Sequence, residues 1–383
     1  MKSSRGSVLT AASLCVAVAL ICFVSARSFL AMRQPDPVAP AQGFERYLLS
    51  HWFPALEGSP GDTDVYIQDS GVPGGTVFIM GGTHPNEPSG YMAAIIYLER
   101  AKVTKGRLIV MPFANLTAMG HNSPQEASPQ YFSLDVDGGT RWFRYGSRAT
   151  NPVYQWPAPD IYIHAQSGQK LDGGSKSNLN RAYPGVPDDS LTQQVAYGVI
   201  QMLNKEKVDL AFDLHEASPE YPVVNAIVAH DRAMELAAMV SMELEMEGIP
   251  MRLEPSPVNF RGLSHREWGD HTGAMAILME TGNPSQGRLR GRTDEALALT
   301  GKDKAYLKAA ALGRLFIPYE GDQTLDLRTA RHVASMKMFM DMLGDVKEGG
   351  DVEVEGIPSF DDMMERGIGA FLSPVEDDRF DGK

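Results

Sequence analysis

Three short, mostly apolar stretches at residues 76–80, 208–214 and 274–279 each run into polar, chemistry-bearing side chains. Runs of this length, bounded by turn residues, predict buried strands. The first, Thr-Val-Phe-Ile-Met, breaks at Gly81-Gly82, and Pro88 is placed to open a helix through Tyr91, Ile95 and Leu98. Further strands are predicted near 65–68, 107–112, 223–228 and 250–253. Apolar spacing predicts helices over 188–203, 233–247, 302–315 and 327–343. Strands alternating with helices indicate one α/β domain with a mostly parallel sheet.

Residues 120–177 break this rhythm. Glycine, proline, serine and aromatics dominate there, including Trp142, Phe143, Tyr145, Tyr154 and Trp156. So many aromatics predict an ordered insert, which either walls a pocket or caps the domain without touching substrate. Residues 34–43 read as a proline-rich linker. Residues 344–383 hold 12 acidic and 4 basic residues, which predicts a solvated, loosely held acidic tail. The α/β domain is therefore expected at 44–343.

Lys2 and Arg5 precede an almost unbroken apolar run from Val8 to Ala26, so residues 1–33 read as a signal peptide or membrane anchor. Val24-Ser25-Ala26 has the small residues that favour cleavage, whereas the length of the run favours retention. Arg27 and Arg33 lie on the far side of the run, so the flanking charges decide orientation weakly. Either outcome places the domain outside the cytoplasm.

The 383 residues are 43% apolar, enough for a sizeable core, and the formal net charge is −13 with no basic cluster. That balance argues against nucleic-acid binding, which needs a concentrated positive face. The two cysteines, Cys15 and Cys22, both lie in the N-terminal run, so the domain has no thiolate to offer a metal.

His84 and Glu87 follow the first strand, Asp213 and His215 close the second, and Glu280 closes the third. Carboxyl ends of neighbouring strands converge in open α/β sheets, so these positions can meet at one site. His84, Glu87 and His215 make a three-ligand zinc set with a position left for water. Glu280 is then placed to take that water's proton and pass it to a leaving amine. Asp213, two residues before His215 on the same strand face, either orients that imidazole or makes an ordinary strand-end hydrogen bond. Asn180-Arg181 suits forked recognition of a substrate carboxylate, although an isolated arginine more often packs on the surface. No Gly-x-Ser-x-Gly elbow, phosphate loop or dinucleotide glycine pattern occurs in a fitting context.

These four segments, Gly81-Gly82-x-His84-x-Asn86-Glu87, Leu179-Asn180-Arg181-x-x-Pro184-Gly185, Asp213-Leu214-His215 and Glu280-Thr281, resemble the succinylglutamate desuccinylase/aspartoacylase family. That family belongs to the zinc-carboxypeptidase-like superfamily, and the resemblance spans about residues 65–285. It implies a three-layer αβα fold with a mixed sheet and one zinc ion per chain held by His84, Glu87 and His215. It further implies Glu280 as general base and acid, and Asn180 with Arg181 as the clamp on a substrate carboxylate. The chain departs from the family at Pro85, where glycine is usual. It also has no arginine at the position that usually stabilises the developing oxyanion, and Arg141, Arg144, Arg148 and Lys170 are the candidates to replace it. Arg266, Asp270 and His271 stand where the family has a tyrosine and an arginine, which leaves acyl specificity open.

The expectation is an exported zinc hydrolase cleaving an amide bond of a small carboxylate-bearing substrate. A zinc carboxypeptidase acting on peptides, including cell-wall peptides, is the alternative. A catalytically silent, membrane-anchored binding module is a third reading, against which Glu280 argues.

Overall fold

A computed structural model describes residues 5–31, 34–122, 128–377 and 379. Lys2 and Arg33, two of the charges expected to flank the apolar run, lie outside the described residues, as do 123–127 of the insert and 378 and 380–383 of the tail. The chain divides into two compact units, Met1–Pro35 with Asp377–Lys383, and Asp36–Glu376. In the first, helix α1 covers Arg5–Ala31. Its Gly6–Ala31 stretch has a mean hydropathy of 2.5 and is long and apolar enough to cross a membrane, a test that signal sequences also pass.

The second unit is built on an eight-stranded mixed sheet. Its strands are β1 (Glu45–Leu48), β2 (Asp64–Asp69), β3 (Thr76–Met80), β4 (Arg107–Met111), β5 (Leu210–Ala217), β6 (Ala226–Ala229), β7 (Arg252–Pro255) and β8 (Met275–Gly282). Their spatial order is β1-β2-β4-β3-β5-β8-β6-β7. β4, β3, β5 and β8 run parallel, while β2 and β6 pair antiparallel to the edges of that core.

Alternation along the strands sends side chains to two separate cores. Val77, Ile79, Phe212 and Met279 pack under α2 (Pro88–Arg100), α4 (Met234–Met246) and α6 (Leu325–Val346). Phe78, Met80 and Ile109 face α3 (Leu191–Lys205) and Trp268 of α5 (Ser264–His271). The result is the expected three-layer αβα arrangement.

Two expectations at the chain ends need correction. Residues 352–372 are packed: Val352, Val354, Met363, Ile368 and Leu372 join the α2/α6 core, and Glu353–Glu355 pairs with Lys102–Lys105. The acidic residues of this segment alternate with apolar ones that bury, so its net charge conceals an amphipathic pattern. The proline-rich stretch is likewise no free linker, because buried Asp36 pairs with Arg144 and Pro37 accepts a hydrogen bond from Arg141.

The 120–177 insert contains two hairpins, Tyr131–Val136 with Gly139–Arg144 and Ile161–Ile163 with Lys170–Asp172. Ser128, Tyr145 and Arg148 reach the wall of a pocket that also touches the ends of β5 and β8.

Candidate metal centre and its pocket

The turn after β3 is made by close approach of backbones. Gly82 has φ +68°, and a Cβ there would sit 2.9 Å from the Pro112 carbonyl oxygen. At Gly90, in the first turn of α2, a Cβ would lie 2.4 Å from the Leu214 oxygen. Glycine at these two positions lets α2 start directly against the end of β5. His84 and Glu87, on the turn, are thereby brought beside His215, on β5.

His84 Nδ1 lies 3.0 Å from Glu87 Oε1, His215 Nδ1 lies 2.8 Å from Glu87 Oε2, and the two Nδ1 atoms are 3.1 Å apart. All three residues are buried, and their ligand atoms cluster within 4.8 Å. Edges of a tetrahedron with metal bonds of about 2.0–2.2 Å measure roughly 3.3–3.6 Å, so a slight opening of this triad admits an ion.

The far ring nitrogens support the same conclusion. His84 Nε2 is 2.8 Å from Asn178 Oδ1, and His215 Nε2 is 2.8 Å from Asp213 Oδ2. In the neutral form of each ring the acceptor holds the proton on Nε2 and leaves a lone pair on Nδ1, as metal ligation requires. The donor set of two imidazoles and one carboxylate can therefore hold a metal ion.

Burial pulls His84 down to about 4, with the Arg148 charge adding to it. Burial acts the same way on His215, but Asp213 and Glu87 outweigh it and raise that group to about 10. Burial alone would raise Glu87; the charges of His84, Arg148 and His215 hold it well below its ordinary value instead. Asp213 is lowered too, since the charge and hydrogen bond of His215, with Ser264 and Thr83, overcome its burial.

Glu280 lies directly across from His215 in the β5–β8 register. Burial pushes its carboxyl up to about 8, against the opposing charge of His215. Among the described residues its Oε2 has no hydrogen-bond partner.

Both Glu280 and His215 border a pocket of about 620 Å³ that also takes in Asn180, Arg181 and Arg148. A volume of this size suits a small molecule or a short peptide. Asn180 is anchored by the Ser264 backbone N–H, 2.8 Å from its Oδ1. Arg181 donates to the Asn180 carbonyl at 2.5 Å, and burial followed by Arg148 lowers its pKa.

His215, Glu280, Asn180 and Arg181 border one pocket, His84 and Glu87 lie against His215, and the four substitute cations separate. Arg141 and Arg144 are buried in ion pairs with Glu99 and Asp36, and Lys170 stands exposed on a hairpin. Arg148 alone among them reaches the pocket, with Nη1 2.6 Å from Glu87 Oε1.

Asn178 was not expected here as the partner of His84. Asn178 stands two residues before Asn180, so a search for a carboxamide partner to His84 in that motif was the available signal.

A mixed αβα sheet with a buried His–Glu–His triad at the carboxyl ends of its parallel strands defines a metal-competent α/β site. No protein-family model and no curated protein sequence matches the chain. Among solved structures it is similar to a succinylglutamate desuccinylase/aspartoacylase from Rhodobacter sphaeroides, at 18% identity over 58% of this chain and 52% of that one, TM-score 0.36. It is similar to the ectoine utilization protein EutE from Ruegeria pomeroyi, at 18% identity over 80% and 71% of the two chains, TM-score 0.41. A metallo-carboxypeptidase from Burkholderia cenocepacia matches at 12% identity over 82% and 68%, TM-score 0.41. The match spans about half the length of the Rhodobacter protein. At these identities and scores the likenesses assign no activity to this chain.

Proposed function

We propose that the protein is an exported zinc-dependent hydrolase that cleaves an amide bond in a small carboxylate-bearing substrate, as an N-acyl amino acid deacylase does. The observation that carries this reading is the convergence of His84 and Glu87 on His215, which with Glu280 and Arg181 borders one pocket.

A zinc ion held by His84, Glu87 and His215 would supply a Lewis acid that polarises the scissile carbonyl and acidifies a water. Glu280 accepts a proton from the attacking water as the new C–O bond forms. It then delivers that proton to the amine nitrogen as the C–N bond breaks. Arg181 pairs with the substrate carboxylate and fixes the scissile bond over Glu280. Arg148, beside Glu87, is the cation positioned to meet negative charge developing on the carbonyl oxygen.

The α1 helix would export the domain or tether it to a membrane. A carboxypeptidase acting on short peptides is the second reading, favoured by the 620 Å³ pocket, which has room beyond a single acyl amino acid.

The test is amine release by zinc-loaded protein from N-acyl amino acids and from C-terminal dipeptides, with Glu280→Gln as control. Turnover of acyl amino acids that the variant lacks supports the deacylase. Turnover limited to peptides transfers the assignment to a carboxypeptidase, and silence on both sets removes the hydrolase reading.

A further inference from the structure

Beyond Glu280 the pocket extends over one face of the sheet. Leu278, two residues before Glu280, shares its face, and Val228 stands opposite Leu278 in the β6–β8 register. Both side chains are buried, yet neither belongs to the two hydrophobic cores. They form an apolar chamber with Leu263, Pro255, Pro257 and Phe260.

An imidazole stands on the wall of the same pocket. His265, in the first turn of α5, is 3% exposed and borders the pocket. Its Nδ1 is 2.7 Å from Ser256 Oγ, and Ser256 is itself held by its backbone N–H, 2.8 Å from the Ala229 oxygen. Among the described residues its Nε2 has no hydrogen-bond partner. On the wall of the pocket, this nitrogen is open to pair with a group that enters it.

We propose that His265 is a specificity-determining residue that reads an uncharged hydrogen-bonding group, an amide or hydroxyl, on an otherwise apolar arm of the substrate. The inference rests on the hydrolase reading and names the substrate class for that site. Burying a charged arm against Val228, Leu263 and Leu278 would cost its hydration, which favours an uncharged one. Either tautomer of His265 meets an amide, which both donates and accepts.

The test uses the zinc-loaded full chain and two near-isosteric probes, N-acetyl-glutamine and N-acetyl-methionine. Wild type is expected to favour glutamine in kcat/KM by at least about tenfold, because a site built for a hydrogen bond rejects the analogue lacking it. His265→Phe is expected to bring the ratio near one, and His265→Gln to restore part of it. Thermal unfolding of each variant establishes that it is folded. An unchanged ratio in His265→Phe, or a wild type that favours methionine, overturns the proposal while leaving the hydrolase standing.

Calorimetric binding of free glutamine and methionine separates the two readings. Should nothing be cleaved while glutamine still binds better through His265, the hydrolase falls and the role of His265 holds. Should neither amino acid bind preferentially and neither probe be turned over, both fall.

Discussion

His215 is gripped from both sides of its ring, with Asp213 Oδ2 2.8 Å from Nε2 and Glu87 Oε2 2.8 Å from Nδ1. Asp213 is itself fixed by hydroxyl donors, Thr83 at 2.7 Å and Ser264 at 2.5 Å. Asp213→Asn would keep the shape and lose the charge that holds the His215 tautomer. Zinc affinity should fall about 10- to 100-fold, as for other loss of a histidine's outer partner. Competition with a chromogenic chelator measures it. Unchanged affinity would show that Asp213 only closes the strand end.

Metal binding should be visible as stability. Free zinc at 100 times its dissociation constant stabilises a folded protein that alone binds it by about 2.7 kcal/mol. Wild type should therefore unfold at higher temperature with zinc than with chelator. His84→Ala and His215→Ala should show no such difference at the same zinc concentration. A zinc-dependent shift that survives in both variants would place the ion elsewhere in the chain.

Much of this site can be read from residues 76–90, where a run of buried side chains meets Gly81-Gly82 and then His84 and Glu87. The spacing of Asp213 and His215 likewise foretold a shared strand face, and the structure brings them into contact. Helix α5 escaped the periodicity because its residues are Ser-His-Arg-Glu-Trp-Gly-Asp-His, and charged pairs within it replace an apolar stripe. Glu267, for example, is buried against Arg261 and His271. Which arginine faces the metal site was equally illegible, because Arg141, Arg144 and Arg148 lie within one irregular stretch. Only the path of the first hairpin and its exit separates two buried ion pairs from one pocket residue.

Glu280 offers a pH test in the metal-free protein. Its folded-state pKa of about 8 exceeds the ordinary carboxyl value, so between the two the folded state holds a proton that the unfolded state has released. Stability should therefore fall as pH rises through that window, by up to about 1.4 kcal/mol per pH unit from this group. Glu280→Gln should flatten that slope and be the more stable protein at pH 7.5 in chelator. Urea midpoints at pH 5 and 7.5 decide it, and equal slopes in the two proteins would mean that Glu280 is ionised in the pocket. With zinc present the same variant should lose about 10²- to 10⁴-fold in kcat while keeping its metal.

Arg181 and Arg148 should separate kinetically. Arg181→Lys removes a forked contact to a carboxylate that exists throughout the reaction, so KM should rise more than kcat falls. Arg148→Ala removes a cation proposed to act as charge develops, so kcat and kcat/KM should fall together, by about 10²- to 10³-fold. A dominant KM effect at Arg148 would place it with substrate binding instead.

The last prediction concerns the chain ends. Glu99 accepts hydrogen bonds from Arg141 at 3.0 and 2.9 Å, from the Ala39 backbone N–H at 3.0 Å and from that of Ser373 at 2.7 Å. Arg141 in turn donates to the carbonyls of Pro37, at 2.8 Å, and Ser373, at 3.0 Å. One buried ion pair thus fastens both termini of the domain to the end of α2 and to the insert. Arg141→Ala leaves Glu99 as a buried charge without its partner, which typically costs about 3–5 kcal/mol. An apolar double replacement, Glu99→Leu with Arg141→Met, would often be harmless for a simple buried pair. Here it should remain destabilising, because the backbone groups of residues 37, 39 and 373 lose their partners too. Urea unfolding gives the stabilities, and limited proteolysis should cut near residues 37 and 373 in both variants before the sheet is attacked. A double variant as stable as wild type would reduce the clasp to an ordinary ion pair.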